Sequence, residues 1–536
     1  MSFMYKNTIR LTSFTCFLLL VFLRSSPAHT TILAASSYKH YIDSFNANDN
    51  ELYAQQIPNS RSWSFLEQNI PWLDVPDKRI EQTYYFRWWT YRKHIEKTRE
   101  GFVITEFLPN VPWSGRYNTI SAAAAHHFYE GRWLADRQYM RDYARFWLSA
   151  GGSPRTYSFW IADALLNYYR VALDKELITE LFPLLVRNYE AWEKENLDDN
   201  GLFWQEDGKD GMEVSICGAF SAGTRGYRAT INSYMYGDAV ALSKMALLIN
   251  RQEVADRFRA KARAIKDSVQ RILWDDRADF FKVLPRGKGT LCDARELHGY
   301  SPWYFNMPDK QYSKAWKYLM SPHYFFAPYG PTSAEQNHRD FRVSYEGHEC
   351  QWNGPSWPYA TSITLTAAAN LLNNYSQQYF SATDYFKLLQ IYTDSQQRER
   401  EDGKVVPWID ENLNPFSGDW IARTRLKSWE NGTWSQEKGG QERGKDYNHS
   451  TYGDLIITGL IGLRPQEVNT LVINPLVPTG AWSYFCLDNV HYHGKVITVL
   501  YDKTGRRYKK GKGFMVFVDG EKRFSSPGVK KVEIAL

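Results

Sequence analysis

Along the middle of the chain the apolar positions recur with a helical period. Leu242, Met245, Ala246 and Ile249 stand at i, i+3, i+4 and i+7, and Val254, Phe258, Ile265, Val269 and Ile272 continue a similar stripe. Such stripes predict helices that each bury one face. Loops rich in Gly, Pro and Asp, notably 198–211 and 403–418, interrupt them at intervals that let successive helices pair across turns. After Pro475 the pattern turns to that of strands. Lys495–Tyr501 (KVITVLY), Phe514–Val518 (FMVFV) and Val532–Leu536 are short, β-branched or aromatic, and separated by Gly and Asp turns. The expected order is a helical domain over 111–465 and a small β-domain over 466–536. The stretch 29–110, rich in Trp and Tyr but without clean periodicity, is expected to pack on the helical domain, and its own fold stays open.

Residues 1–28 read as a secretory leader. Lys6 and Arg10 precede the apolar run Leu11–Leu23, and small residues follow around Ser25–Ala28. The run is too short to span a membrane, and no other segment approaches the ~20 apolar residues that a span needs. A secreted or periplasmic location is expected. Net charge is +6 with the signs interspersed, so no tract suggests nucleic acid. The basic cluster Arg506–Lys512 (RRYKKGK) lies between two strand-like runs and reads as a solvated hairpin rather than a polyanion site. Cys16 falls in the leader, leaving Cys217, Cys292, Cys350 and Cys486. None is spaced as CxxC or followed by His at zinc-ligand spacing, so no metal is expected. Disulfides and buried free thiols fit them equally. His126–His127 and the His348–Cys350 stretch are weak metal candidates and are discounted.

Aromatic residues form 16% of the chain, more than core packing alone calls for. Some of them suit flat platforms for sugar rings. The sequence has no GxSxG elbow, phosphate loop, dinucleotide fingerprint or HExxH helix, and no cofactor is implied. Carboxylates among aromatics remain, which is the combination that glycoside cleavage uses. Two loops carry them. Asp198–Ile216 (DDNGLFWQEDGKDGMEVSI) also suits a solvated acidic turn or an incomplete calcium loop. Asp410–Gly418 (DENLNPFSG) also suits an Asx-turn joined to a Pro turn.

Four blocks along 110–465 carry a resemblance. Gly211–Ser215 (GMEVS), Arg225–Tyr234 (RGYRATINSY), Trp352–Pro358 (WNGPSWP) and Glu411–Gly418 (ENLNPFSG) resemble, in this order, motifs of glycoside hydrolase family 63 and its mannosylglycerate-hydrolase relatives. The resemblance implies an all-α (α/α)6 toroid of six helical hairpins and an inverting glycosidase that removes a terminal sugar from an oligosaccharide. It places Glu213 at the general acid and Glu411 at the general base. The family has Asp followed by Asn where this chain has Glu213 and Val214, so Asp210 and Asp207 stay alternatives for the acid. Asp410 is the nearest competitor for the base.

The pocket implied around them takes Trp113, Arg116, Trp352, Asn353, Trp357, Trp408 and Asp410 as substrate-binding residues, although Trp113 and Arg116 also suit a structural stack. Glu130 and Asp136 fit either sugar hydroxyls or helix salt bridges, and Asp446, His449 and Ser450 either cap a helix or face the pocket. The expected partner is an oligosaccharide or polysaccharide fragment. Other readings are an arabinofuranosidase, rhamnosidase or glucuronidase-like hydrolase on the same toroid, or a carbohydrate-binding protein without catalysis. A lyase or epimerase would draw its base from His449 or Tyr452. Oligomeric state is not written in the sequence.

Overall fold

Helices Ser121–Gly131, Ile161–Ala172, Ala229–Leu248 and Pro358–Asn374 are buried on nearly every side. A helix without a solvated face belongs to an inner layer. Each is followed by an outer partner: Gln138–Ser149, Lys175–Asn196, Gln252–Ile272 and Ala382–Ser395. The outer helices are one-sided. Gln252–Ile272 buries Ala255, Phe258, Ala262, Ile265 and Val269 and turns its charged residues to solvent. The short helix Ser301–Tyr304 packs between Ala229–Leu248 and Pro358–Asn374, and the 3-10 run Lys310–Tyr318 follows it.

The ring closes through Leu455–Leu460, a π-helical turn beside Pro358–Asn374. The amides that lead into it have no partners within their own turn. Glu130, at the end of the first inner helix, accepts from Gly453 at 2.7 Å and Asp454 at 2.9 Å, while Arg132 pairs with Asp454 at 2.7 Å. First and last inner elements are thereby tied, and the architecture is an (α/α)6 toroid with a small C-terminal β-domain. This is the computed structural model of the chain, and it describes residues 31–221, 223–343, 350–400, 402–421 and 442–536.

The stretch 29–110 forms helices Lys39–Ala47, Asn59–Asn69 and Lys78–Lys93, the strand Trp72–Asp74, and the hairpin Ile95–Thr98 with Gly101–Ile104. Lys78–Lys93 shows no stripe because nearly all of it is buried. Its polar groups find partners inside. Arg87 donates to the Ser450 carbonyl at 2.8 Å, and the Lys93 ammonium lies 2.8 Å from Asp49 and 2.6 Å from Asp446.

Trp72–Asp74 joins the C-terminal sheet, whose order is Trp72–Asp74, Tyr484–Tyr492, Lys495–Asp502, Gly513–Val518, Glu521–Ser526. Leu73 pairs with Leu487 and Asp74 with Cys486 in antiparallel register. The basic cluster is the connection between Lys495–Asp502 and Gly513–Val518. There Asp502 accepts the amides of Gly505 and Arg507, each at 2.8 Å, and Arg507 reaches Asp74 at 2.6 Å. Cys217 and Cys292 form a disulfide, and Cys486 is a buried thiol in the C-terminal sheet. Among the described residues no helix is long and apolar enough to cross a membrane.

Candidate active site

The segment 350–358 fastens both carboxylate loops. On one side the Val214 amide donates to the Cys350 carbonyl at 3.2 Å and the Trp352 amide to the Val214 carbonyl at 2.9 Å. On the other, Ser356 and Leu413 exchange amide-to-carbonyl bonds at 3.0 and 2.9 Å. Gly211 turns the first loop into this strap with φ +77°, a left-handed conformation that glycine adopts without strain. Blocks 211–215, 352–358 and 411–418, far apart in sequence, therefore meet along one strap.

They meet at a cavity of about 440 Å³ at the starts of the inner helices Ser121–Gly131 and Pro358–Asn374. Its wall carries Glu106, Glu213, Glu411 and Arg443 among Trp113, Tyr157, Trp352, Trp357, Tyr359, Tyr447 and His449. Trp352 and Trp357 stack with ring centres 4.2 Å apart and planes 7° from parallel. The Trp352 indole N–H donates to Glu213 Oε2 at 3.1 Å.

The carboxyls differ in their surroundings. Burial pushes Glu213 up to about 7, with the charge of Glu411 adding to the shift and the Trp352 donor opposing it. By surface area Glu213 is only partly covered, because it faces the open cavity. An occupant that displaces water dries it further. Glu411 is 1% exposed, and Arg443 Nη2 lies 3.1 Å from its Oε1. An adjacent guanidinium favours the ionised carboxylate.

Asp410 supports this pair from behind. Its Oδ1 accepts the Glu411 amide at 2.7 Å, and a Cβ on Gly444 would fall 1.7 Å from the same oxygen. Only glycine lets the segment bearing Arg443 approach so closely.

Glu106 is a third carboxyl on this wall, and the sequence reading passed over it. Burial first, then the charges of Glu411 and Glu213, raise it to about 8, against the pull of the Tyr447 hydroxyl and Arg443. Its one local signal is an acid in the largely apolar, buried run Phe102–Phe107, a placement that is costly without a partner or a use.

The expected pocket residues divide. Trp113 sits at the mouth, 37% exposed, with the Arg443 guanidinium 4.8 Å over its ring. Trp352 and Trp357 form the wall. Arg116 does not line the cavity. Tyr117 and Asn118 take φ of 58° and 57°, and Arg116 faces outward to Glu100 and the Ala150 carbonyl. Asn353, Trp408 and Asp410 lie behind the wall rather than on it. The Asn353 carbonyl holds the Arg342 amide at 3.0 Å, and Trp408 is covered by Arg398 at 3.6 Å.

Asp207 pairs with Arg228 and accepts from Ser215 Oγ at 3.0 Å. Asp210 accepts from the Thr230 hydroxyl. Both point away from the cavity. His449 lines it, 4.0 Å from the Tyr447 ring, and burial pushes its pKa well below the usual range, leaving it neutral. Asp446 serves Lys93, Ser450 accepts from Arg87, and the Tyr452 hydroxyl meets Thr393 at 2.7 Å. Among the described residues no group of three His, Cys, Asp or Glu is placed to hold a metal ion, and His348 lies outside them.

Carboxyls on an aromatic pocket at one end of an (α/α)6 toroid place the chain among the six-hairpin glycosidases. Residues 116–450 match the mannosylglycerate hydrolase MGH1-like glycoside hydrolase domain, and the chain belongs to that family. Residues 463–522 match the C-terminal domain of glycosyl hydrolase family 65. A solved structure named "Sialidase" is 41% identical with a TM-score of 0.86, over 94% of this chain and 44% of that one. The chain thus spans less than half of that relative. The GH63 mannosylglycerate hydrolase from Thermus thermophilus, in complex with Tris and D-glycerate, is 13% identical with a TM-score of 0.51, over 71% of this chain and 100% of that one. The GH78 family rhamnosidase of a Bacillus species is 10% identical with a TM-score of 0.55, over 81% and 40%. At such identities the last two likenesses are of fold.

Proposed function

We propose that the protein hydrolyses a glycosidic bond with inversion and removes a terminal sugar from an oligosaccharide. The observation that carries this reading is the pair Glu213 and Glu411: two carboxyls from separate loops, fastened to one strap, face one cavity in opposite electrostatic settings. Glu213, raised to about 7, keeps a proton near neutrality and acts as general acid. Glu411, ion-paired to Arg443, acts as general base. As the glycosidic C–O bond breaks, the Glu213 proton passes to the leaving oxygen. Water attacks the anomeric carbon from the opposite face and yields its proton to Glu411. Glu213 ends ionised and Glu411 protonated, and exchange with solvent resets both. The stacked Trp352–Trp357 platform suits the apolar face of a sugar ring.

Export is part of the same proposal. It is supported by the apolar run Leu11–Leu23 behind Lys6 and Arg10, and by the Cys217–Cys292 disulfide, a bond that persists in oxidising compartments. The test is a panel of oligosaccharides that includes mannosylglycerate, rhamnosides and sialosides, with the anomer of the released sugar followed by proton NMR. Release of one monosaccharide in the inverted configuration is expected. Retention would overturn the acid–base assignment, and no release from the panel would favour a carbohydrate-binding protein.

A further inference from the structure

The proposed acid–base pair leaves one carboxyl of the cavity wall unused. Glu106 stands on a segment clamped by Asn448, whose amide donates to the Glu106 carbonyl at 3.1 Å and whose side chain donates to the Thr105 carbonyl at 3.2 Å. The Glu106 side chain is therefore held in place rather than swinging from a loop. It is 5% exposed, its Oε1 accepts from the Tyr447 hydroxyl, and its Oε2 has no hydrogen-bond partner among the described residues. Tyr447 packs between Phe107 and His449, with ring centres 4.7 and 4.0 Å away.

The groups that face Glu106 set its protonation. Glu411 and Glu213 repel a charge there, Arg443 is already paired with Glu411, and Tyr143, Tyr157, Tyr359 and Tyr447 all stay neutral at pH 7. With its value near 8, Glu106 carries a proton at neutral pH. A buried acid of this kind needs an acceptor, and the described residues offer none to Oε2.

We propose that Glu106 and Tyr447 form a sugar-binding subsite in which the Glu106 carboxylic acid donates a hydrogen bond to a hydroxyl of an uncharged ring. The inference rests on the glycosidase reading of this cavity. An uncharged hydroxyl suits the wall better than a sugar carboxylate, which would meet the charge of Glu411. The other lining cation, Lys209, has a side chain 57% exposed. The Glu106 acid takes no part in bond breaking. It orients the ring that Glu213 and Glu411 act upon.

The test uses the full chain and its Glu106→Gln and Glu106→Ala variants. The probes are glucose, mannose, galactose and rhamnose, read by titration calorimetry and by infrared difference spectroscopy at pH 7. The wild type should show a protonated-carboxyl component, beside that of Glu213, that is lost in Glu106→Gln and moves when sugar binds. Gln keeps a donor in the same place, so its Kd should stay within about threefold of wild type, while Ala should weaken binding about tenfold or more. Absence of that component, or equal affinity in wild type and Glu106→Ala, would overturn the subsite alone. A wild type that binds none of the four sugars would overturn the uncharged-ring subsite, whereas loss of turnover in Glu411→Gln would still support the acid–base reading.

Discussion

Two cavities open at opposite ends of the toroid, and the larger one carries the weaker case for chemistry. The first, about 440 Å³, lies at the starts of the inner helices, where Ala122 and Tyr359 stand. The second, about 620 Å³, lies toward their ends, where Tyr129 and Asn370 stand. Charges in the second lie against opposite charges: Lys244 meets Glu467 at 2.8 Å, Arg170 meets the same carboxylate, and Arg132 meets Asp454 at 2.7 Å. In the first, Glu411 is paired with Arg443, while Glu106 and Glu213 have no ion-pair partner of their own among the described residues. Burying a carboxyl without its own cation costs stability, so a wall that holds two such groups marks a functional site more sharply than volume does.

The largest effect should come from the pair itself. Glu411→Gln and Glu213→Gln should each lower kcat by at least about 10³-fold while circular dichroism and sugar binding stay intact. Unchanged turnover in either would remove that residue from the mechanism. At the opposite end, Asp454→Ala should strand Arg132 and cost about 3–5 kcal/mol in denaturant unfolding, with kcat per folded molecule unchanged. A folded but inactive Asp454→Ala protein would break the contrast between the cavities.

Proton linkage supplies a smaller effect with a defined sign. Glu106 rises from 4.5 to about 8 on folding, so the native state holds the extra proton between those values and the folded protein loses stability as pH increases through that window. Glu106→Gln has no such group. Relative to wild type it should gain up to a few kcal/mol as pH rises from below 4.5 to above about 8, read from unfolding midpoints across pH. A constant difference across that range would mean the carboxyl does not titrate as its surroundings demand. The smallest effect concerns Trp352→Phe, which removes the N–H donor from Glu213. Glu213 then loses a bond to its ionised form, and the alkaline limb of kcat/KM, near 7 in wild type, should move up by less than about one unit. A downward shift would show that the indole does not act through that bond.

Much of this was open to a reading of the sequence, and unevenly so. The stripe in Gln252–Ile272 reports one buried face, while the β-branched run in Lys495–Asp502, buried on both faces over 497–500, reports a strand by composition rather than by period. The buried helix Lys78–Lys93 has almost no exposed face, so its sequence loses the period that would mark it. Motif blocks led to the two carboxylate loops because the loops carry their residues close together in sequence. Arg116 was expected in the pocket because it stands three residues from Trp113, yet two positive-φ residues after it turn the chain outward.

By itself the sequence determined the element types, the family, and the two loops in which to look for working carboxyls, because each of these is written in neighbouring residues. The tertiary structure alone decided that Trp72–Asp74 completes a sheet with Tyr484–Tyr492 and that Asn353 and Trp408 stand behind the wall. It also decided that Glu106 shares a cavity with Tyr447, 341 residues away. Contacts over such separations are set by how whole layers pack, and packing leaves no period along the chain from which they can be read.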